Sequence, residues 1–242
     1  MPVDRLLNAG TLQVLPDAEA VSLAAAQLFA ARAVRSVALA GGQTPRRAYK
    51  LLAQPPLCAE IAWGQLCVFW GDERCVPPDD SRSNERLARE ALLDHVPIPE
   101  SHIHPMRCSG NHAQAAAAYE EELRATFAGK DACATFDLVL LGLGDDGHTA
   151  SLFPGSPALR EETRWVAATE SPDGLPRVTL TAPFINRAAL VAFLVSGAAK
   201  APALLAVLHG PRDPQRRPAQ LICPIAGELL WLVDAAAAQL LE

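Results

Sequence analysis

Short apolar runs, most of them ending at a glycine, constrain the fold of this chain more than any other feature of its sequence. Five runs are long enough for one buried strand each, and they occupy residues 36–40, 66–70, 136–141, 189–195 and 229–233. Stretches with the periodicity of an amphipathic helix separate them. Strands that alternate with helices form a parallel sheet covered on both faces. The sequence therefore predicts an α/β protein of three layers, α/β/α, with a mainly parallel central sheet.

Helices are predicted between the strands from apolar spacing and capping residues. Residues 17–33 place apolar side chains on one face, and Asp17 suits the N-cap. The same reasoning predicts helices over residues 45–52, 84–93 and 111–127 and after Lys200 and Asp234, and short strands over residues 102–106 and 177–181. Because the proline-rich segments 97–105 and 211–218 are typical of surface loops, residues 1–242 are expected to form a single domain.

Composition restricts the partners and the compartment. The chain of 242 residues has a formal net charge of −6, so neither nucleic acid nor an anionic membrane is expected as a partner. It shows no signal-peptide pattern and no apolar stretch long enough to span a bilayer, which favours a cytoplasmic protein. The six cysteines lack the spacing of a zinc site and are expected to be thiols, so no metal is predicted. They are Cys58, Cys67, Cys75, Cys108, Cys133 and Cys223.

Residues suited to ligand binding follow four of the predicted strands, in segments 41–44, 71–74, 142–148 and 197–200. The carboxyl ends of parallel strands meet at one edge of the sheet, and ligands bind at that edge in open α/β proteins. Four polar or glycine-rich turns that converge there are hard to explain by packing alone. We therefore expect them to form one functional site.

His148 is the strongest catalytic candidate. Its imidazole is suited to proton transfer near neutral pH, and Asp145 and Asp146 are close enough in sequence to orient it or stabilise its charge. The alternative interpretation is a structural histidine. The other five histidines are predicted to be surface residues: His95, His102, His104, His112 and His209.

The first of the four turns predicts an anion site, most naturally for a phosphate. Gly41, Gly42, Gln43 and Thr44 open a helix with Pro45 in its first turn, where free N–H groups and the helix dipole attract negative charge. A tight turn capped by Thr44 is the alternative. The turn matches neither a P-loop nor the pattern G-x-G-x-x-G, so ATP and NAD are not indicated.

Charged side chains at the same edge supply further ligand groups. Arg74 carries a fork of donors that suits phosphate, and we favour function over a solvated loop for it and for Asp72. Asp72 is expected to accept from sugar hydroxyls or to hold a catalytic group, whereas Glu73 is expected to face solvent or pair locally. For Lys200, phosphate binding and simple solvent exposure stay equally open. For Arg177, a role at the site and an exposed charge at the start of a strand stay equally open.

Together these segments resemble the 6-phosphogluconolactonase family. The resemblance is carried by AGGQTP at 40–45, WGDERCVP at 70–77 with Ser83 and Asn84 downstream, GLGDDGHTASLFPG at 142–155, RVTLT at 177–181 and SGAAK at 196–200. It spans nearly the whole chain, and the histidine motif is its most specific part. Gln43 departs from the serine usual in the family, which removes a hydroxyl from the turn and leaves its main-chain N–H groups.

The resemblance implies hydrolysis of 6-phospho-D-glucono-1,5-lactone to 6-phospho-D-gluconate, the second step of the oxidative pentose phosphate pathway, with no cofactor. It implies a Rossmann-like fold with a small additional β subregion. We expect a monomer or weak homodimer that acts on a phosphorylated sugar lactone. His148 is expected to take a proton from water and return it to the departing ring oxygen, while Asp146 or Asp72 orients the imidazole or the sugar hydroxyls. Asn84 is included among the substrate-binding residues.

The remaining site residues are expected to form two groups, one for each anionic part of the reacting substrate. Arg74, Lys200 and the amides of residues 41–44 hold the phosphate, and Arg177 or main-chain N–H groups near Gly144 stabilise the oxyanion. No serine or cysteine stands in a nucleophile-elbow pattern, so water is expected to attack directly without an acyl-enzyme.

Two alternatives stay open. A sugar-phosphate deaminase or isomerase of the same fold carries a glutamate at the position of Phe153, whose side chain cannot ionise and so disfavours ring opening. A non-catalytic sugar-phosphate sensor usually brings a DNA-binding segment, and this acidic chain has no basic helix-turn-helix extension.

Overall fold

Strands and helices alternate along the chain in a computed structural model that describes residues 3–7, 10–108, 110–128 and 135–241. The strands within these residues are β1 (Val3–Leu7), β2 (Gly10–Leu15), β3 (Ser36–Leu39), β4 (Cys67–Trp70), β5 (Asp72–Arg74), β6 (Leu138–Leu141), β7 (Val166–Glu170), β8 (Pro176–Leu180), β9 (Leu190–Val195) and β10 (Glu228–Asp234). The α-helices are α1 (Ala18–Ala31), α2 (Gln43–Leu52), α3 (Leu57–Glu60), α4 (Asn84–Ala91), α5 (His112–Phe127), α6 (Ala182–Ile185), α7 (Ala201–Leu208) and α8 (Ala235–Ala238).

A central sheet of seven strands confirms the α/β class. Its order is β1-β2-β10-β9-β6-β3-β4, in which β1 runs antiparallel to β2 and the other six strands run parallel. The five predicted apolar runs form β3, β4, β6, β9 and β10. We did not predict β1 and β2, because β2 lies near the edge of the sheet and buries Leu12 alone among its six residues, so its periodicity is weak.

The order of the strands places a crevice between β3 and β6. From β3 the chain moves outward to β4, and then it returns to the other side of β3 to form β6, β9 and β10 in turn. Ligands of open α/β sheets bind outside the carboxyl ends of the strands where this reversal occurs. The topology therefore assigns the ligand-binding crevice to the segments that follow β3 and β6.

A second sheet of three antiparallel strands, in the order β5-β8-β7, forms the small additional β subregion that the resemblance implies. The run 177–181 is confirmed as a strand, β8, and it belongs to this sheet. The strand predicted over residues 102–106 is wrong: one bridge joins Ile103 to Val68, and a 3₁₀ turn precedes it. Pro105 has no N–H to donate, so the ladder cannot continue there.

The predicted helices are confirmed with shifts of a few residues at their ends. Helix α1 begins after Asp17, whose carboxylate accepts a hydrogen bond from the Ala20 N–H at 2.8 Å. Asp234 caps α8 in the same way through the Ala237 N–H at 2.7 Å. The helices cover a sheet whose centre is buried, since all six residues of β9 are buried. None of the helices in the described part of the chain is long and apolar enough to cross a membrane.

Two of the cysteines do not match the prediction of thiols. Cys75 and Cys108, which are 33 positions apart in sequence, form a disulfide with Cα atoms 4.9 Å apart. The bridge at Ile103 brings the segment that contains Cys108 against the central sheet, a tertiary contact that the spacing of cysteines does not reveal. Cys58, Cys67 and Cys223 are thiols, whereas Cys133 lies outside the described residues.

The prediction that five histidines lie on the surface holds for His95 and His209, which are exposed. It is wrong for His104, whose ring stacks on Phe69 with centroids 4.5 Å apart and whose Nδ1 lies 2.7 Å from the Glu122 carboxylate. His102 and His112 are partly buried. An isolated histidine beside a proline carries no local sign of such packing.

Candidate active site

The carboxyl ends of β3, β4, β6 and β9 surround a cavity of about 630 Å³. The four turns singled out from the sequence lie around it. Ten of the eleven predicted site residues line the cavity: Gly41, Gly42, Gln43, Thr44, Asp72, Arg74, Asn84, His148, Arg177 and Lys200. The eleventh, Asp146, contacts the ring of His148. Sequence positions spread over 160 residues are thus assembled in one place.

His148 is held at the edge of the cavity by Asp146. The same carboxylate oxygen, Oδ1 of Asp146, lies 2.6 Å from the ring Nδ1 of His148 and 3.0 Å from its main-chain N. A carboxylate accepts only, so Nδ1 carries the proton and Nε2 keeps a free lone pair. The ring therefore has the tautomer that a general base requires.

The ionised state of Asp146 is favoured by the histidine that it holds. Burial acts to raise the pKa of Asp146, but the main-chain N–H of His148, the charge of its ring and the hydrogen bond between the two side chains outweigh burial and lower the pKa. Asp146 therefore stays a carboxylate at neutral pH and keeps the proton on Nδ1.

The close approach between Asp146 and His148 requires a glycine at position 144. A Cβ atom on Gly144 would lie 2.1 Å from Nδ1 of His148 and 2.7 Å from Oδ1 of Asp146. The turn is also closed by main-chain hydrogen bonds, because the Gly144 N–H donates to the His148 carbonyl at 2.8 Å. A glycine at position 144 is therefore needed for packing of the Asp146–His148 pair.

Two arginines face each other across the second sheet. Arg74 of β5 and Arg177 of β8 are directly opposite in the antiparallel register. Like charges in this position repel, and the Nε atoms of both side chains are buried without a hydrogen-bond partner. Burial lowers the pKa of Arg177, and the charge of Arg74 lowers it further, while Asp72 opposes both effects. An anion between the two guanidinium groups would relieve this repulsion.

A third source of positive potential is the amino end of α2. Gly42 precedes the helix with φ of 108°, a conformation that favours glycine, and Gln43 is its first residue. The first N–H groups of a helix have no partner within it. The hydroxyl of Thr44 lies 2.6 Å from that of Ser196, which connects this helix end to the turn after β9. The amino end of α2 lines the same cavity as Arg74 and Arg177.

Lys200 stands beside the same turn. Its Nζ lies 2.6 Å from Oδ1 of Asp145, and its side chain is 30% exposed. The turn itself is fixed by Asp234, whose carboxylate accepts the Gly197 N–H at 3.0 Å. Lys200 is therefore a cation at the rim of the cavity, paired in this structure with an exposed carboxylate.

Asp72 is held by a network of buried hydrogen bonds. Its Oδ2 accepts from the Ser151 hydroxyl at 2.6 Å, its Oδ1 accepts from the Asn84 amide at 3.3 Å, and Arg177 lies 4.0 Å away. Ser151 is fully buried, and it belongs to the segment that follows His148. We did not predict its contact with Asp72, because the two residues are 79 positions apart.

Glu73 is a second residue that differs from expectation. It was expected to face solvent or pair locally, but it is 4% exposed and its carboxylate binds the amino end of α4. Burial raises the pKa of Glu73, against the effect of the N–H donors of Asn84, Glu85 and Arg74. The sequence signal that could have identified Glu73 is its position between two predicted site residues, Asp72 and Arg74.

Phe153 lies against both His148 and Arg177. Its ring centroid lies 4.8 Å from that of His148 and 5.8 Å from the guanidinium carbon of Arg177. Residues 171–173 of the β7–β8 turn also line the cavity, a contribution that was not predicted. Among the described residues, no group of three or more histidine, cysteine, aspartate or glutamate side chains is arranged to hold a metal ion.

The fold and this cavity define an α/β enzyme that places a histidine–carboxylate pair beside a cationic pocket at the carboxyl edge of its sheet. Residues 15–231 match the family model described as glucosamine-6-phosphate isomerases/6-phosphogluconolactonase. The chain belongs to this family.

Individual relatives agree with that assignment. A 6-phosphogluconolactonase of Synechocystis sp. is 49% identical over 214 residues, which are 87% of this chain and 86% of the relative. The solved structure of 6-phosphogluconolactonase from Trypanosoma cruzi is 31% identical, with a TM-score of 0.80 over 94% of this chain and 95% of that one. A monomeric glucosamine-6-phosphate deaminase is 19% identical with a TM-score of 0.80 over 95% of this chain and 99% of its own, which shows a shared fold only.

Proposed function

We propose that this protein hydrolyses 6-phospho-D-glucono-1,5-lactone to 6-phospho-D-gluconate, the second step of the oxidative pentose phosphate pathway, and that it needs no cofactor. The observation that carries the proposal is His148, fixed by Asp146 with Nε2 free, in a cavity that also holds two opposed arginines and a lysine. The proposal is supported by the relative from Synechocystis sp., which is named 6-phosphogluconolactonase.

The reaction requires one proton to move twice. Nε2 of His148 takes a proton from a water molecule as its oxygen attacks the lactone carbonyl carbon, which forms a tetrahedral oxyanion. When the oxyanion collapses, the bond to the ring oxygen breaks, and the imidazolium returns the proton to that oxygen. Asp146 stabilises the imidazolium in between. Water attacks directly, so oxygen-18 from the solvent should enter the carboxylate of the product in the first turnover.

The two anionic parts of the reacting substrate need separate donors. We assign the phosphate to the amino end of α2, Lys200 and Arg74, and the oxyanion to Arg177. The Gly144 N–H is a weaker candidate for the oxyanion because it already donates to the His148 carbonyl. Arg177 has an unpartnered Nε and lies against Phe153, which also contacts His148. Asp72 and Asn84 are assigned to the sugar hydroxyls, Asp72 directly and Asn84 through Asp72.

We propose that the chain folds as a single domain around one continuous hydrophobic core and acts as a monomer or weak homodimer. We also propose a cytoplasmic location, where phosphorylated sugars are made and retained. The Cys75–Cys108 disulfide is unusual in that compartment, so the redox state of both residues in protein taken from cells is worth measuring by thiol labelling.

Hydrolysis of the lactone by the wild type and by His148→Ala and His148→Asn tests the proposal. General-base catalysis contributes about 10²- to 10⁴-fold, so we expect kcat to fall by that factor in both variants while the fold is retained. The exposed His209, at the far end of α7, provides the control variant His209→Ala, which should keep full activity. Rates must be measured above the spontaneous opening of the lactone. Near-normal turnover by both His148 variants would remove this residue from the mechanism.

A deaminase or isomerase is not favoured by the site. Phe153 packs on the His148 ring, and its side chain cannot exchange a proton with the imidazole or with a sugar. Release of ammonia from glucosamine 6-phosphate is the direct assay, and we expect none above the background without enzyme.

A further inference from the structure

We infer that Glu73 is a positioning residue, whose buried carboxylate fixes Asn84 and the main chain of Arg74 and thereby holds Asp72 and the cationic pocket in their working geometry. The inference rests on the proposed lactonase function, which uses Asp72 and Arg74 to hold the substrate. It assigns a role to a charged side chain that cannot reach the substrate itself, since Glu73 does not line the cavity.

The carboxylate of Glu73 accepts hydrogen bonds at both oxygens. Oε1 accepts the Arg74 N–H at 2.7 Å and the Asn84 N–H at 2.8 Å. Oε2 accepts the Glu85 N–H at 2.7 Å and the Ser83 hydroxyl at 3.1 Å. An acceptor with this many charge-assisted bonds, in a side chain that is 4% exposed, has a single orientation.

These bonds connect the second sheet to the start of α4. Glu73 and Arg74 belong to β5, whereas Asn84 is the first residue of α4 and Ser83 is its N-cap. A carboxylate at the amino end of a helix is favourable for its N–H groups and for the helix dipole. Glu73 therefore sets the distance between β5 and α4.

Asn84 connects the start of α4 to the residues that line the cavity. Its side-chain amide donates to the main-chain oxygen of Asp72 at 2.8 Å and to Oδ1 of Asp72 at 3.3 Å. Its Oδ1 lies against Gly41, where a Cβ atom would come within 1.9 Å of it. Asn84 is 2% exposed, so it has no room to adjust if α4 moves. A shift of α4 would displace Asp72 on one side and the turn after β3 on the other.

We expect Glu73 variants to fold but to hold Asp72 and Arg74 in the wrong orientation. A displacement of about 1 Å in a positioning group costs as much as 10²-fold in rate, so Glu73→Ala should lower kcat by about 10- to 100-fold. Glu73→Gln keeps one oxygen that accepts from the Arg74 and Asn84 N–H groups, so its kcat should stay within about 10-fold of the wild type. KM for the lactone should change less than kcat in both variants.

Glu85→Gln is the matched control. Glu85 is the next residue of α4, and its side chain pairs with Arg89 and stays away from the cavity. Removing this charge weakens the same helix terminus and leaves every bond of Glu73 in place. We expect Glu85→Gln to lower the melting temperature slightly and to keep kcat within about twofold of the wild type.

A double-mutant cycle tests whether Glu73 acts on the site through Asn84. If Glu73 acts through Asn84, Glu73→Gln combined with Asn84→Ala should lose no more kcat than the worse of the two single variants. All rates are measured well below each melting temperature and are normalised to folded protein by circular dichroism. Should Glu73→Ala not fold, Glu73→Gln, Asn84→Ala and their combination suffice.

The outcomes separate this inference from the function on which it depends. Normal kcat in folded Glu73→Gln and Glu73→Ala, with a lower melting temperature alone, would show a purely structural role and overturn the inference. Additive losses in the cycle would overturn the route through Asn84. A wild type that does not hydrolyse the lactone would overturn the proposed function, and this inference with it.

Discussion

The imidazole of His148 is restrained by three neighbours of different chemistry. Asp146 accepts a hydrogen bond from its Nδ1–H, Phe153 packs against its ring, and Gly144 leaves the space that the contact with Asp146 needs. The Asp146 contact lies within two residues of His148 and was expected from the sequence, although which aspartate orients the ring was left open. The structure places Asp146 on the ring and Asp72 in a separate buried network.

Asp146→Asn tests the orientation of the ring. The amide can offer its N–H₂ to Nδ1, which favours the wrong tautomer and removes a charge that stabilises the imidazolium. We expect kcat to fall by about 10- to 10³-fold with little change in KM. Asp145→Asn is the neighbouring control, and it should affect KM alone because Asp145 pairs with Lys200. Equal kcat in the two variants would contradict the assignment.

A lactone without phosphate separates the roles of the cations. A hydrogen bond to a charged group contributes about 1.5–3 kcal/mol, so Lys200→Ala and Arg74→Ala should lower kcat/KM for the phosphorylated lactone by about 10- to 100-fold. Neither change should alter kcat/KM for glucono-1,5-lactone. Arg177→Ala should lower kcat for both substrates, because the oxyanion forms in both. If Arg177→Ala affects the phosphorylated substrate alone, then Arg177 binds phosphate.

At the scale of elements, the turns after the strands decide the site. The four turns singled out from the sequence follow the carboxyl ends of β3, β4, β6 and β9. Strands β3 and β6 are neighbours in the sheet, where Ala38 pairs with Val139, although these two residues are 101 positions apart in sequence. The sequence pattern located these turns correctly, because an apolar run followed by a glycine can be recognised within a short segment. The position of β8 in a separate sheet depended on its pairing with β5 and β7, which no short segment records.

Two glycines of the same turn should respond differently to a methyl group. Gly144→Ala puts a Cβ into the contact between Asp146 and His148, and we expect kcat to fall by about 10²-fold as the ring moves. Gly142→Ala is the matched control, since a Cβ there meets no atom within 4 Å. It should keep most of the activity. Similar kcat values for the two variants would contradict the role of close packing in this turn.

At the scale of the whole molecule, one hydrophobic core extends across the central sheet. Phe193 of β9 and Trp231 of β10 stack at its centre with ring centroids 3.8 Å apart. The Cys75–Cys108 disulfide joins the second sheet to the loop that follows the bridge at Ile103. It is a covalent link at the periphery, beside Arg74 and away from the stack of rings.

Reduction of the disulfide should lower stability. Closing a loop across the 33-residue separation stabilises a protein by about 3–4 kcal/mol through the entropy of the unfolded chain. We expect urea unfolding of protein treated with dithiothreitol, and of Cys75→Ser, to show that decrease in the free energy of unfolding. Cys223→Ser should behave as the wild type, since Cys223 is an exposed thiol. An unchanged midpoint after reduction would show that the disulfide does not contribute to stability.

The sequence by itself determined the α/β class, the strands β3, β4, β6, β9 and β10, and the turns that carry His148 and the proposed phosphate ligands. These follow from hydrophobic periodicity, glycine placement and helix capping, which act over a few residues. Only the tertiary structure decided that Arg74 faces Arg177, that Glu73 is buried against α4, and that Cys75 meets Cys108. Each of these contacts depends on the register between segments far apart in the chain, and register is set by the packing of the whole core.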